Sequence, residues 1–132
     1  MTTASATPAR LEPMLSVRRG KEAVEFYAAA FSTQTLFRLD ADNGDVVARL
    51  SIRGAVFWIS DESTEHGNFS PESLRGSTTR MVLIVDDPAG AVAQALAAGA
   101  TSVWPVEERY GWLIGRVVDP YGHHWEIGRK LA

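Results

Sequence analysis

The chain has 132 residues, 45% hydrophobic and 22% charged, with a net charge of −3, a balance typical of one globular domain with its own core. The negative charge disfavours nucleic acid and anionic membranes as partners, since both require a basic surface. The lack of cysteine excludes disulfides, thiolate catalysis and cysteine-bound zinc, and the lack of a bilayer-length apolar run or secretory signal predicts a cytoplasmic protein.

The first half of the chain predicts one helix and four strands. Residues 1–9 are rich in Thr, Ala and Ser, and we interpret them as a disordered tail before a single domain over 10–132. Helical spacing of apolar residues predicts a helix over 21–31. Apolar runs and alternation predict strands at 11–17, 33–39, 46–52 and 55–59. These elements make a first module over about 11–62. Polar, glycine-containing residues 61–77 predict a crossover loop.

The second half of the chain predicts the same order of elements. A helix is expected to begin near Pro88, after an aspartate suited to capping, and to end at Gly99. A strong turn signal, Asp-Pro-Tyr-Gly, occupies 119–122 before the last strand. The strands are expected at 81–85, 101–106, 112–118 and 124–127. These elements make a second module over about 78–131.

A shift of 68 residues aligns the two halves without a gap. Within the two modules nine residue pairs are then identical, including Leu15 with Leu83 and Ile59 with Ile127. The identities fall in strand cores, the helix core, the helix exit and the turn before the last strand. Each β-α-β-β-β unit has one helix for four strands, so one face of its sheet lacks cover. The predicted fold is therefore α+β, with two paired β-α-β-β-β modules that form a curved-sheet cup suited to a small molecule.

Four segments carry a resemblance to a known family. They are VEFY at 24–27, LIVDD at 83–87, AAGA at 97–100 and DPYGHHWE at 119–126. The pattern resembles the vicinal oxygen chelate superfamily, which includes glyoxalase I, bleomycin-resistance proteins and extradiol dioxygenases. The resemblance implies a homodimer, because many members complete their cups with a second chain. It also implies where a divalent metal would bind, with one ligand from the first and last strand of each module.

Carried over by position from the family, the four metal-ligand positions fall on Glu12, Trp58, Arg80 and Glu126. Only Glu126 has the usual ligand type, and Glu12 is a carboxylate where a histidine is usual. Trp58 cannot ligate a metal, and the fixed charge of Arg80 repels one. We therefore expect the usual metal site to be lost and no cofactor to be required. Arg80 is expected to pair with Glu126, with Glu12 or with both, or to hold an anionic ligand.

A divalent metal remains an alternative through a different set of ligands. His124 lies two residues before Glu126, so both side chains face the same way in a strand. Together with Glu12 they would supply one histidine and two carboxylates, which suit several metals. His123 faces the opposite way and is expected at a turn or on the surface.

Tryptophans are numerous for this length, with four in the chain. Trp58 is the first choice for stacking on a planar ligand, because symmetry with Glu126 places it in the cup. Trp104 and Trp112 are candidates for the mouth of the cup. Trp125 is expected in the core on the helix side. A hairpin tip around Tyr110 is a candidate gate.

The leading prediction is a small-molecule binding protein of the glyoxalase and bleomycin-resistance type with a metal-free cup. The ligand is expected to be aromatic or anionic, with Arg80 recognising its charge and Trp58 stacking on it. One alternative is a metal-dependent lyase, isomerase or dioxygenase that uses Glu126, Glu12 and His124. Another is a metal-free enzyme with Glu126 as the catalytic general base.

Overall fold

Two four-stranded sheets make up the β structure of residues 6–132, the part of the chain that this computed structural model describes. Of the predicted tail, residues 1–5 lie outside the described residues, and residues 6–9 have no helix or strand. The helices within 6–132 are all too short or too polar to cross a bilayer.

Each sheet belongs to one half of the chain. The first half contains β1 (Met14–Val17), α1 (Gly20–Phe31), β2 (Gln34–Asp40), β3 (Val46–Ile52) and β4 (Ala55–Asp61). The crossover contains a single 3-10 turn (Thr64–His66) and the short helix α2 (Pro71–Leu74). The second half contains β5 (Arg80–Ile84), α3 (Pro88–Ala98), β6 (Thr101–Arg109), β7 (Trp112–Val118) and β8 (His124–Lys130). The predicted α+β order is therefore confirmed, although β1 begins later than predicted and β6 and β8 end later.

The two sheets have the same topology. Their strand orders are β1-β4-β3-β2 and β5-β8-β7-β6, and in each the first and last strands of the module pair in parallel. Leu15 pairs with Ile59 in the first sheet, and Leu83 pairs with Ile127 in the second. These are the residues that the 68-residue shift aligns, so the duplication extends to the register of the strands.

Helix α1 begins at Gly20 because of a close contact with the end of β4. The Asp61 carboxylate accepts hydrogen bonds from the backbone N–H of Gly20 at 2.9 Å and of Val46 at 2.7 Å. A Cβ atom on residue 20 would lie 2.3 Å from an Asp61 oxygen. Only glycine permits this approach, and the contact ties the helix start to two strands.

The core joins the two modules through aromatic side chains. Trp125 of β8 is buried, and its ring centroid lies 4.6 Å from Phe31 of α1 and 5.3 Å from Phe57 of β4. The prediction that Trp125 belongs to the core is confirmed. Helices α1 and α3 pack on each other, each covering one face of its own sheet. The opposite faces, which we call the open faces, are covered by neither α1 nor α3.

The turn between β7 and β8 is organised by a buried carboxylate. Asp119 accepts hydrogen bonds from the Tyr27 hydroxyl at 2.5 Å and the Trp125 indole N–H at 3.0 Å. Burial, and next the Asp119 charge, raise the pKa of Tyr27 well above its ordinary value, so the hydroxyl remains a donor. His123 lies in this turn as predicted, but it is not a surface residue. Its Nε2 lies 2.9 Å from the Ser16 carbonyl oxygen, in a buried position.

The crossover is held against the first module by Glu62. Its carboxylate accepts hydrogen bonds from the Ser70 N–H at 2.9 Å and the Ser73 hydroxyl at 2.7 Å, and it pairs with Arg18 at 3.3 Å. These contacts, the backbone bond from Ser70 first, lower the pKa of Glu62 to about 2. The segment predicted as a loop is therefore a tethered connection with a short helix.

Candidate functional site

The open faces carry most of the residues predicted to bind a ligand. In β8, Trp125 and Ile127 point into the core, so the alternation of a strand places His124 and Glu126 on the open face. By the same rule Trp58 of β4 lies opposite the buried Phe57 and Ile59. The predicted orientation of these side chains is therefore confirmed.

On the first module, Glu12 is held by Arg49, which is not among the predicted site residues. Arg49 of β3 donates to the two carboxylate oxygens of Glu12, from Nε at 3.0 Å and from Nη2 at 2.8 Å. The Trp58 indole N–H donates to Glu12 at 2.9 Å, and Arg10 pairs with it at 3.3 Å. The hydrogen bonds from Arg49 and then Trp58 lower the pKa of Glu12 to about 2, so this carboxylate stays ionised at neutral pH.

On the second module, Glu126 lies between two guanidinium groups. Arg80 Nε lies 2.6 Å and Arg116 Nη2 lies 3.4 Å from the same oxygen, Oε2, of Glu126. Glu126 and Glu12 are the two predicted partners of Arg80. Arg80 pairs with Glu126, and Glu12 pairs with Arg49 and Arg10 instead. Arg116 of β7 lies on the open face, since the neighbouring Gly115 and Val117 are buried on the core side. Within residues 6–132 the buried Arg116 Nε and His124 Nδ1 atoms have no hydrogen-bond partner.

The two arginines occupy equivalent places in the two modules. Arg49 lies directly opposite Trp58 across the β3–β4 pair, and Arg116 lies directly opposite Glu126 across the β7–β8 pair. Each open face therefore carries one carboxylate in contact with two guanidinium groups. Both arginines interrupt otherwise apolar strands, which is the signal in the sequence that could have identified Arg49.

A cleft of about 290 Å³ opens on the second module. We call it the tryptophan cleft, and it is lined by Val82, Trp104, Arg109, Tyr110, Trp112, Ile114 and Glu126. The structure thus brings together three of the predicted ligand-binding residues, and it adds Val82 and Ile114, which were not predicted. The predicted gate at Tyr110 forms part of the wall, with its side chain fully exposed at the hairpin tip.

The two tryptophans of the cleft differ in what covers their rings. The guanidinium of Arg109 lies 4.6 Å from the ring centroid of Trp104, and that of Arg116 lies 5.7 Å from it. These are cation–π distances. No such contact involves Trp112 among the described residues. Among the described residues, Trp112 is therefore the cleft tryptophan whose ring no guanidinium covers.

The other predicted residues lie outside this cleft. Glu12 and Arg80 line a junction cavity of about 690 Å³ between the two modules. Its walls come from the segment before β1, the β3–β4 hairpin, strand β5 and Trp125 of β8. Val82 borders both this junction cavity and the tryptophan cleft, so the two spaces adjoin. Trp58 lines neither the junction cavity nor the tryptophan cleft. Its ring centroid lies 6.0 Å from that of Phe37 on the first module. His124 also lines neither.

The set of metal ligands considered as an alternative is not assembled. Within the part of the chain that the structure describes, no three His, Asp or Glu side chains lie together as a metal site would require. Glu12, His124 and Glu126 therefore do not form such a group.

The comparisons with known sequences point to one family. A family model described as a glyoxalase-like domain matches residues 14–128. An uncharacterised protein of Mycobacterium bovis is 34% identical over 126 residues, covering 92% of this chain and 83% of that protein. An uncharacterised protein of Mycobacterium tuberculosis H37Rv is 33% identical, covering 92% of this chain and 74% of that protein.

Solved structures share the fold over nearly the whole chain. A gene product of Arabidopsis thaliana superposes with a TM-score of 0.68 and 28% identity, covering 93% of this chain and 98% of that chain. TioX from Micromonospora sp. ML1 has a TM-score of 0.70 and 25% identity, covering 94% and 100%. The fosfomycin resistance protein FosX from Listeria monocytogenes, solved with Mn(II) and sulfate, has a TM-score of 0.69 and covers 94% and 93%. At 10% identity, FosX is similar in fold alone.

Proposed function

The chain belongs to the glyoxalase-like domain family of the vicinal oxygen chelate superfamily, and from this premise we propose that it binds a small aromatic molecule without a metal. The observation that carries the proposal is the tryptophan cleft, where two indole rings adjoin a carboxylate paired with arginine. Its volume is at the lower end of the range for ligand sites, which are mostly apolar with a few polar groups. A flat, two-ring aromatic compound matches these features.

The residues at the four carried-over positions do not fit a divalent cation. Both oxygens of Glu12 already accept from Arg49, and the Trp58 N–H can only donate. Glu126 is shared by two guanidinium groups, and a metal beside it would meet the fixed charge of Arg80. A cation would have to displace two ion pairs and then lie next to the released arginines. This donor chemistry supports a site that functions without a metal.

Metal content is the first test of this proposal. Protein purified without chelator is expected to contain no stoichiometric metal by elemental analysis. We also expect no change in its melting temperature with Ni²⁺, Zn²⁺, Mn²⁺ or Fe²⁺, because ligands that bind only the folded state stabilise it. Stoichiometric metal, or a thermal shift that Glu126→Ala abolishes, would contradict the proposal and favour a metal-dependent enzyme.

We further propose that the protein is a homodimer in which a second copy covers the open face of the first module along β2, away from the tryptophan cleft. Apolar side chains are exposed there, including Phe37 and Leu39 of β2. Large exposed apolar patches mark interaction sites, and a symmetric dimer buries the same patch on both copies. The resemblance to dimeric family members supports the same arrangement.

Sedimentation velocity tests the dimer with a matched pair of substitutions. Leu39 and Leu74 are equally exposed, at 59%, but Leu74 lies on helix α2 of the crossover. We expect a dimer for the natural chain and for Leu74→Glu, and a monomer for Leu39→Glu, because a buried unpaired charge opposes association. A natural chain that sediments as a monomer at all concentrations would refute this proposal, and so would equal effects of the two substitutions.

A further inference from the structure

We propose that Arg116 and Arg80 form a carboxylate-binding subsite at the edge of the tryptophan cleft, so that the preferred ligands are aromatic carboxylates. The inference rests on the proposed function and deepens it by naming the chemical class of the ligand. Three observations carry it: an asymmetry between two equivalent ion pairs, unused donors on both arginines, and the position of Arg116 beside Trp104.

The equivalent arginines of the two modules differ in how fully they are paired. Arg49 makes a closed, two-pronged pair with Glu12, with contacts of 3.0 and 2.8 Å that use Nε and Nη2. Arg116 reaches Glu126 through Nη2 alone, at 3.4 Å, and its buried Nε has no partner within residues 6–132. A buried donor without an acceptor is costly in a folded protein. The Arg116–Glu126 pair therefore leaves the Nε donor of its arginine unused, whereas the Arg49–Glu12 pair uses both Nε and Nη2.

Arg80 leaves further donors free at the same place. Its side chain is 60% exposed, and the contact with Glu126 is made by Nε at 2.6 Å, so the guanidinium remains accessible to a ligand. Two guanidinium charges act on the single carboxylate of Glu126, which leaves one positive charge uncompensated. Arg109 does not change this balance, since it pairs with Glu107. An anion with two oxygen atoms matches the excess charge and the unused N–H groups, because guanidinium and carboxylate form two parallel hydrogen bonds.

The position of Arg116 links this charge to the aromatic wall. Its guanidinium lies 5.7 Å from the ring centroid of Trp104 and 3.4 Å from Glu126. A carboxylate bound there would lie beside Trp104, which together with Trp112 supplies the indole lining of the cleft. The subsite therefore favours a carboxylate carried by an aromatic ring system that occupies the cleft.

Two probes with the same ring system separate charge from stacking. Calorimetric titration with 2-naphthoate and with neutral 2-naphthamide is expected to show tighter binding of the carboxylate, by about tenfold or more. Arg116→Gln and Arg80→Gln are expected to abolish this preference while naphthamide affinity stays within about twofold. Arg49→Gln is the matched control on the first module and should keep the preference. Arg80 is largely exposed, so its variant provides the test even where Arg116→Gln fails to fold.

Three other results of these titrations would contradict the proposed subsite, each with a different meaning. Equal affinities of the natural chain for the two probes would refute the subsite while leaving aromatic binding intact. A preference that survives both Arg116→Gln and Arg80→Gln, or that is lost only in Arg49→Gln, would place the charge recognition elsewhere. Binding of neither probe would refute the proposed function itself, and the subsite with it.

Discussion

Replacing Asp119 by alanine is expected to destabilise the fold by about 3–5 kcal/mol, the largest stability effect that we predict for one side chain. The carboxylate is only 4% exposed and accepts four hydrogen bonds. Two come from the backbone N–H groups of Tyr121 and His123, and two come from the side chains of Tyr27 and Trp125. Truncation would leave these buried donors without an acceptor, at a cost of about 1–3 kcal/mol for each one that water cannot reach.

Urea unfolding followed by tryptophan fluorescence measures this effect directly. Tyr27→Phe removes one of the four donors and is expected to cost about 1–2 kcal/mol. Asp42→Ala, in an exposed turn, is the matched control and should change the free energy of unfolding by less than about 0.5 kcal/mol. A loss of under about 1 kcal/mol in Asp119→Ala would show that the turn does not depend on its carboxylate.

The fold could be predicted because it depends on patterns that a single sequence displays. Alternation and helical spacing assign a face to each apolar residue, and the repeat at 68 residues identifies the two modules. The pairings Leu15–Ile59 and Leu83–Ile127 show that the repeat preserves strand register as well as element order. The faces of Trp125 and Glu126 followed from the same alternation.

The ion pairs could be predicted only in part, because they depend on distances between strands. Arg49 precedes Trp58, its partner across the β3–β4 pair, by nine positions, whereas Arg116 precedes Glu126 across the β7–β8 pair by ten. The β7–β8 connection is therefore one residue longer. A gap-free shift therefore aligns Arg49 with Val117 and not with its structural counterpart Arg116. The sequence therefore does not predict the contact of Arg49 with Glu12, and it gives Arg80 two candidate partners.

The location of the cleft could not be predicted from the sequence, because no periodic pattern shows which side chains enclose a space around the β6–β7 hairpin. Trp58 was the first choice for stacking, but its indole N–H is engaged by Glu12 and the side chain lies on the first module. The cleft is lined by the β6–β7 hairpin, including Arg109 and Tyr110 at its tip, and by Val82 and Glu126 of the neighbouring strands β5 and β8. The sequence does not show how these four strands enclose a space.

Replacing Trp112 by alanine is expected to weaken the binding of both 2-naphthoate and 2-naphthamide by about tenfold or more. Trp112 lies at the start of β7 and supplies the indole face of the cleft that no guanidinium covers. Stacking and apolar contact do not depend on the charge of the ligand, so the two probes should lose affinity in the same proportion. Calorimetric titration of the folded variant measures both losses.

Trp58→Ala is the control for this prediction, because Trp58 occupies the open face of the first module and lines neither the cleft nor the junction cavity. It is expected to leave both affinities unchanged. The Trp112 variant should keep the preference for the carboxylate while losing affinity, whereas the Arg116 variant should lose the preference and keep its affinity for the amide. Losses confined to Trp58→Ala would move the ligand to the first module, where Glu12 and Arg49 form the closed pair.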